Sequence, residues 1–291
     1  MRLLKYIFIG VIVCVIGSSC VSHLETENQK QTITLQSSNT NASPDLLSES
    51  KEIMVKRLKC LNINLFTIEQ DNQKSQLTIK FDENVDIQYL AEMLPSLGKL
   101  NFLKTSSKDV MVSLINSDCI HRVDSLLGFS EKGKSYPADI VGYSKEKDTS
   151  SISSILSSGF IRSLLPSDIR FFWGKYPNGS GKFELYIVSS DDTGINETSL
   201  KSTCVSGDDK LYSISMTFKE ETWSKWAELT KRNIGKSIVF VIDDRVYCAP
   251  VVQDAIKTGK AEITGDFSAK EANKLAAIIG SGRLPLTFLV R

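Results

Sequence analysis

From about residue 52 onward, the pattern of hydrophobic and polar positions divides the chain into short strands and helices. A short helix reaches about residue 61, and alternation over 61–65 (LNINL) and 77–81 (LTIKF) predicts two paired strands. Apolar residues then recur at helical spacing from a cap at Asp86 to Pro95, and a strand follows at 100–103. This order of strand, strand, helix and strand packs as a two-layer α+β unit.

The last third of the chain has the most regular pattern. We predict a helix, a β-hairpin, a second helix and a closing strand at 220–234, 237–249, 269–280 and 286–290. Gly235 stands where a left-handed helix cap belongs, and Asp243-Asp244-Arg245 supplies the hairpin turn. Ser268 and Glu271 have the spacing of a capping box. The middle of the chain predicts two strands, at 169–173 and 183–188, between long loops.

Residues 1–19 have the composition of a signal peptide. A basic start leads into an uncharged apolar run over 6–16 that is too short to span a bilayer, and small residues stand directly before Cys20. That arrangement resembles the lipobox of bacterial lipoproteins, which implies a lipid anchor at Cys20 and a folded part in the periplasm. Ordinary signal peptidase cleavage is the alternative. Residues 20–50 are rich in Ser, Thr, Asn and Gln, and we predict a flexible tether there.

Composition limits the classes of partner and chemistry. The chain has 291 residues, 41% hydrophobic and 24% charged, which is globular composition. Loss of Arg2 and Lys5 with the signal peptide changes the formal charge from +1 to −1, which argues against nucleic acid as the main partner.

The reactive residue types do not form a recognisable catalytic or metal-binding set. The cysteines left after Cys20 are far apart and include no C-x-x-C pair: Cys60, Cys119, Cys204 and Cys248. This spacing argues against zinc and redox chemistry and leaves disulfides open, with buried free thiols favoured. The two histidines, His23 and His121, lie outside any catalytic motif, and the Asp pairs at 191–192 and 243–244 fall in predicted turns. We therefore expect no cofactor, no metal and no enzymatic activity.

A series of motifs in the last third resembles the SecD family of protein-export membrane proteins. The motifs are SMTF at 215–218, WAELTKRNIGKSI at 226–238, VIDDRVYCAPVVQ at 241–253, ITGDFS at 263–268, EANKLA at 271–276 and GRLP at 282–285. LLP at 164–166 and FFW at 171–173 are similar to fused SecD–SecF proteins. The resemblance covers about 52–291 and is strongest from about residue 213.

The resemblance implies a two-subdomain fold and a binding function. The family's first periplasmic domain has a two-layer ferredoxin-like base and an inserted α+β head that is thought to engage the translocating polypeptide. By that resemblance the base spans 52–110 plus 266–291 and the head spans 111–265. Since no membrane span precedes the domain and the chain ends at Arg291, we expect it to hold a partner without proton-driven work.

Some positions depart from the family pattern. Cys248 stands where Ser is usual, Thr222 where Gly is usual, and Ile279-Gly280 where Leu and a basic residue are common. Together they suggest a diverged paralogue.

The candidate polypeptide-binding residues are Phe171, Phe172, Trp173, Arg245 and Tyr247. An exposed strand edge can pair with an extended polypeptide through backbone hydrogen bonds, whatever the guest sequence. The alternative is that these aromatic residues are core and every edge is covered. Trp223 and Trp226, at helical spacing, are likewise more typical of core than of a peptide-binding patch.

Two functional hypotheses follow. The first is a lipid-anchored envelope protein that binds exported or unfolded polypeptides or a Sec translocase subunit. The second is a structural or interaction lipoprotein that retains the SecD fold outside export.

Overall fold

The structure is a computed structural model that describes residues 31–106, 110, 140–190, 193–207 and 211–291. In these ranges the chain forms three β-sheets with helices packed against them, so the predicted α+β class is confirmed. The predicted signal peptide and Cys20 lie outside the described residues. No helix of the described ranges has the length and apolar character needed to cross a membrane.

A four-stranded antiparallel sheet with two helices forms the first layer pair. Its elements are β1 (Gln31–Ser37), α1 (Pro44–Cys60), β2 (Phe66–Asp71), β3 (Gln76–Phe81), α2 (Ile87–Met93) and β13 (Phe288–Val290). The strand order is β13-β1-β3-β2. Leu35, Met54, Leu58 and Leu77 are fully buried in its core. We call this unit the base.

The prediction of a flexible tether over 20–50 is wrong for residues 31–50. Residues 31–37 form β1 at the centre of the base sheet, and α1 begins at Pro44 after Ser43, whose side chain accepts a hydrogen bond from the backbone N–H of Leu46. Few residues of this segment are apolar, but Ile33 and Leu35 point into the core and are 2% and 0% exposed. Their burial offsets the entropy of ordering a polar segment.

The predicted strand over 61–65 is also wrong. The preceding helix continues to Cys60, and Asn62 adopts the left-handed conformation with φ of 60°. The paired strand begins at Phe66, where β-branched residues follow. The helix at 87–93 with its Asp86 cap is confirmed, and Asp86 accepts a 3.0 Å hydrogen bond from the N–H of Tyr89.

A second sheet nearly closes on itself. It comprises β4 (Leu100–Thr105), β5 (Ile140–Ser144), β6 (Ile169–Gly174), β7 (Phe183–Ser189), β10 (Ile238–Ile242) and β11 (Arg245–Cys248). The order is β4-β10-β11-β6-β7-β5, and β4 also pairs with β7, so five strands form a ring with β5 beside β7. The prediction placed 100–105 in the base, but β4 pairs with β10 because its Leu100 and Phe102 are buried against that strand's side chains. The predicted hairpin is confirmed, with φ of 48° and 60° at Asp243 and Asp244.

A third sheet, in the order β12-β9-β8, covers one side of this ring. Its strands and the helices that complete this unit are β8 (Leu200–Gly207), β9 (Tyr212–Phe218), β12 (Lys260–Phe267), α3 (Glu146–Leu156), α4 (Gly159–Leu164), α5 (Glu220–Arg232) and α6 (Ala269–Gly280). Phe102 lies at the centre, with its ring 5.4 Å from that of Trp226 and 4.8 Å from that of Phe240. The capping box of Ser268 and Glu271 is confirmed at the start of α6. We call the elements from β4 to β12 the head; α6 follows them in the chain, and its buried residues contribute to the cores of both base and head.

Two sets of polar contacts, one made by a buried side chain and one by a half-buried side chain, join the base to the head. Arg57 of α1 is 0% exposed and donates hydrogen bonds to carbonyl oxygens of the α2–β4 connection, at 2.7 Å for Leu94 and 2.5 Å for Ser96. The carboxylate of Asp243, in the hairpin turn, accepts from the N–H groups of Gly98 and Lys99 at 3.2 and 2.8 Å. The same connection is therefore held from both sides.

Candidate functional site

The structure brings the predicted binding residues together on two neighbouring strands. Trp173 of β6 is the register partner of Arg245 of β11, and the N–H of Lys175 donates to the carbonyl of Val246 at 2.8 Å. Tyr247 follows on β11. The hairpin thus lies beside the aromatic run at 171–173.

These strands have neighbours on both sides where they meet. β6 lies between β7 and β11, and β11 lies between β6 and β10, but the register of β6 with β11 joins only Trp173 with Arg245 and Gly174 with Val246. Trp173 is 7% exposed and its Nε1 donates to Ser153 Oγ at 2.8 Å, while Phe171 and Phe172 are half-buried in two different core clusters. At these two residue pairs no further strand can add, and capture of a polypeptide along the rest of β6 stays a prediction. The participation of their side chains in binding stays a prediction.

Arg245 and Tyr247 line a cleft of about 440 Å³ between the hairpin and the helices α2 and α6. We call it the tyrosine cleft; its lining also includes Lys175, Tyr176, Glu92, Glu271 and Lys274. The rings of Tyr176 and Tyr247 meet edge to face at 6.1 Å, and Tyr176 also lies 6.3 Å from Phe267. Such edge-to-face contacts hold the rings in fixed orientations.

The electrostatics of the tyrosine cleft favour hydrogen bonding over proton transfer. Burial, with a smaller effect of Glu271, raises the pKa of Tyr176 to about 12, and burial also raises the pKa of Tyr247. Both phenols therefore stay protonated at neutral pH. The carboxylates of the lining are already engaged, since Asp243 holds backbone N–H groups, Glu271 holds the capping box and Glu92 pairs with Lys274 at 3.4 Å. The cleft offers phenol and cationic donors without a poised general base among the described residues.

A second cavity lies on the other side of the hairpin and is mostly apolar. It encloses about 360 Å³, and we call it the apolar pocket. Its apolar lining comprises Trp226, Ile238, Phe240, Pro250, Val251, Val252, Ala255, Ile256 and Ala261. The charged residues of its lining are Asp254 and Glu262. Concave apolar surfaces with few polar groups are typical of ligand sites.

Hydrogen bonds fix the walls of the apolar pocket. Trp226 Nε1 donates to the carbonyl of Lys260 at 3.0 Å, which orients the indole. The hydroxyl of Thr230 accepts from the N–H of Ile256 at 2.9 Å and so ties the loop at 250–256 to α5. Val252 bonds through its backbone to Gly235 and Lys236 at 2.8 and 3.0 Å. The pocket is therefore preformed, while Val251 at its rim is 50% exposed.

The sequence pattern did not indicate the apolar pocket. It predicted Trp226 as core, and Trp226 is indeed 2% exposed, but its indole also lines the pocket. Trp223 is 39% exposed, packs over Gly259 and donates to the carbonyl of Phe218 at 3.0 Å, which differs from a core position. The run Pro250-Val251-Val252, apolar yet outside a strand, was the available signal.

The remaining chemical candidates have structural roles or fall outside the described ranges. Cys60 and Cys204 are exposed, contrary to the preference for buried thiols, because one ends a surface helix and the other points outward from β8. Cys248 is a half-buried free thiol, and burial raises its pKa to about 12. Within the described ranges, no group of three or more His, Cys, Asp or Glu side chains is arranged to hold a metal ion. Cys119, both histidines and the Asp pair at 191–192 lie outside those ranges.

One region of the chain matches a known protein family. Residues 176–286 match the family model described as SecDF, P1 head subdomain. This range begins at Tyr176 in the tyrosine cleft, contains the whole apolar pocket and continues past the predicted head boundary at 265 through α6.

Relatives of known name agree with this match. The protein translocase subunit SecDF of Thermus thermophilus is 44% identical over 77 residues, covering 26% of this chain and 10% of that protein. The protein translocase subunit SecD of Rhodothermus marinus is 32% identical over 143 residues, covering 47% of this chain and 23% of that protein. The chain thus spans less than a quarter of the length of these relatives.

A solved structure shows the same fold. The structure titled "Structure and function of a membrane component SecDF that enhances protein export" aligns with a TM-score of 0.53 at 20% identity, and the alignment covers 89% of this chain and 97% of that one. The fold and the match together place the region 176–286 in the class of SecDF head subdomains. Residues 176–286 thus match the head region of the SecD family, and the chain is similar to SecD and SecDF proteins over this part.

Proposed function

We propose that this protein is a binding module in protein export, which holds an exported or unfolded polypeptide in the apolar pocket of its head. The observation that carries the proposal is a preformed apolar cavity within the region that matches the SecDF P1 head. Unfolded chains differ from folded ones in exposing apolar side chains, and an apolar pocket without a charged centre accepts these side chains with little sequence preference.

The setting of the domain is part of the same proposal. We infer a signal peptide over 1–19, a lipid anchor at Cys20 and a periplasmic location, which would place the pocket where exported chains emerge. We also infer that the base is ferredoxin-like, because β1, α1, β2, β3, α6 and β13 follow the βαββαβ order around a β13-β1-β3-β2 sheet. The head, from β4 to β12, is then an insertion between α2 and α6. The function is binding, not catalysis.

A Sec translocase subunit is the second partner that we include. The named relatives are protein translocase subunits, so a SecD-like accessory could contact the same machinery. The tyrosine cleft, with the exposed Arg245 and the 42% exposed Tyr176 at its opening, is the surface we assign to that contact.

Site-specific photo-crosslinking in living cells tests this division. Probes replace Val251 at the rim of the pocket, Tyr176 and Arg245 at the cleft, and Gln73 in the exposed β2–β3 turn as a control. We expect exported chains at Val251 and translocase subunits at the cleft, with neither at Gln73. Capture of other envelope proteins alone would contradict a role in export and favour the structural or interaction lipoprotein.

A matched pair of variants tests the pocket in vitro. Val251→Asp places a charge at the rim, and Leu289→Asp makes the same kind of change at a comparably exposed position, 56% against 50%, on the base sheet. Loss of about half of a buried valine's contribution predicts a roughly fivefold weaker binding of an unfolded polypeptide by Val251→Asp. Fluorescence anisotropy measures it. Equal binding by the two variants would exclude the pocket.

A further inference from the structure

A third concave surface carries two arginines that serve neither of the sites above. It lies where the end of α3, the helix α4 and the start of β6 meet, and it encloses about 370 Å³. Its lining consists of Ser153, Leu156, Ser157, Arg162, Arg170 and Phe171. No carboxylate is part of this lining.

The two guanidinium groups converge on the same pair of backbone carbonyls. Arg162 donates to the carbonyl of Ile169 at 2.6 Å and to that of Ser167 at 3.3 Å. Arg170 donates to the same two oxygens, at 2.7 Å each. Because both groups bond to one carbonyl oxygen, two positive charges lie within two hydrogen-bond lengths of each other.

Described carboxylates do not neutralise this pair. Neither arginine forms an ion pair with any carboxylate of the described ranges. Asp168, which is closest in sequence, uses its Oδ2 to accept a 2.7 Å hydrogen bond from Ser189 Oγ. Carbonyl oxygens carry only partial negative charge, so the repulsion between the two cations is incompletely offset.

Free donors remain at this surface. A guanidinium has five N–H groups, and the bonds to the two carbonyls occupy only part of them on each arginine. Ser153 Oγ accepts from Trp173 Nε1 at 2.8 Å, which leaves its own hydroxyl hydrogen available to donate. Ser157 contributes a second hydroxyl at the exposed rim, and Leu156 and Phe171 supply an apolar wall.

We propose that Arg162 and Arg170 form a binding site for a single oxyanion group, a carboxylate or a phosphate. Guanidinium groups present paired donors that match the two oxygens of such groups, and a bound anion relieves the repulsion between the arginines. The site is separate from the apolar pocket and does not depend on polypeptide binding there.

The test is a titration of the purified, isotope-labelled chain, followed by the backbone amide resonances of residues 153–170. Sodium phosphate and sodium acetate are the two probes, each balanced with sodium chloride to constant ionic strength. We expect saturable shifts. Saturation by phosphate alone assigns a phosphate ligand, and saturation by acetate assigns a carboxylate. Shifts that do not saturate, or equal shifts with chloride alone, would overturn the proposal.

Variants of the two arginines test whether their side chains bind the anion. Arg162→Gln and Arg170→Gln should each weaken the anion about tenfold, the loss expected for one charge-assisted hydrogen bond. Arg170→Lys keeps the charge on an exposed side chain without the fork and should give an intermediate affinity. Arg232→Gln, at an exposed arginine paired with Glu228, is the matched control and should bind normally. An equal loss in Arg232→Gln would also refute the site.

Discussion

Replacement of Arg57 by methionine tests how the base is joined to the head. The guanidinium is fully buried and its best hydrogen bonds, at 2.5, 2.7 and 3.1 Å, reach the carbonyls of Ser96 and Leu94 and the hydroxyl of Ser281. Burial lowers the pKa of Arg57 to about 10, and the charge of Asp243 opposes that shift, so the side chain stays protonated at neutral pH. Methionine fills a similar volume but donates to none of these acceptors.

The magnitude follows from those contacts. Hydrogen bonds to a charged group contribute about 1.5–3 kcal/mol each, so three of them total roughly 4–9 kcal/mol. The cost of burying a guanidinium is several kcal/mol and disappears in the variant. The net loss that we expect is about 2–4 kcal/mol in the free energy of unfolding. For a chain of this size, each kcal/mol lowers the melting temperature by about 2–4 °C, which gives a decrease of roughly 4–16 °C.

Urea unfolding followed by circular dichroism measures this loss, with Arg232→Met as the control. Arg232 has a side chain that is 75% exposed, so its replacement should change stability by less than about 1 kcal/mol. An Arg57→Met variant as stable as the parent would contradict the expected loss in the free energy of unfolding. It would show that removing the buried charge gains as much as the lost hydrogen bonds to the α2–β4 connection cost.

Three further predictions concern thiols, alkaline pH and helix capping. Cys60 and Cys204 should react with a thiol reagent at pH 8 within minutes. Cys248 is half-buried and burial raises its pKa to about 12, so it should react far more slowly in the native protein; labelling of Cys248 at the rate of Cys60 would contradict this. The pKa of Tyr176 is about 12 in the folded protein against 10 in the unfolded chain, so its contribution to stability is present below pH 10 and is lost as pH rises towards 12. In urea titrations Tyr176→Phe should therefore lose less stability at alkaline pH than the parent does; an equal loss of stability in both would assign the alkaline effect to other groups. Ser268→Ala removes the capping box of α6 and should lower the free energy of unfolding by about 1 kcal/mol, while Ser268→Asp should retain most of it; equal losses in both would argue against the cap.

The helix caps and the hairpin turn could be predicted from the sequence, because neighbouring residues alone specify them. The Asp86 cap, the capping box of α6, the left-handed Gly235 and the turn at 243–244 all act within four residues, so their geometry follows from neighbouring residues alone. The SecD motifs also lie in this regular last third. Because these signals and motifs are continuous in sequence, they were sufficient to predict the α+β class and the family resemblance.

The strand β1, the closure of the second sheet and the candidate sites are visible only in the folded structure, because each depends on contacts between different elements of the chain. β1 is too polar to be predicted as a strand, and it is stabilised by pairing with β3 and with β13, whose Val290 is the partner of Leu35. The β4–β7 pairing, which closes the ring of strands, joins residues more than eighty positions apart. The apolar pocket likewise requires side chains of α5, β10, β12 and the loop at 250–256 to meet, and Arg162 and Arg170 come together because the turn between α4 and β6 brings them to the same carbonyl oxygens. Alternation and helical periodicity record which residues face a core, but they do not record which strand or loop will cover them.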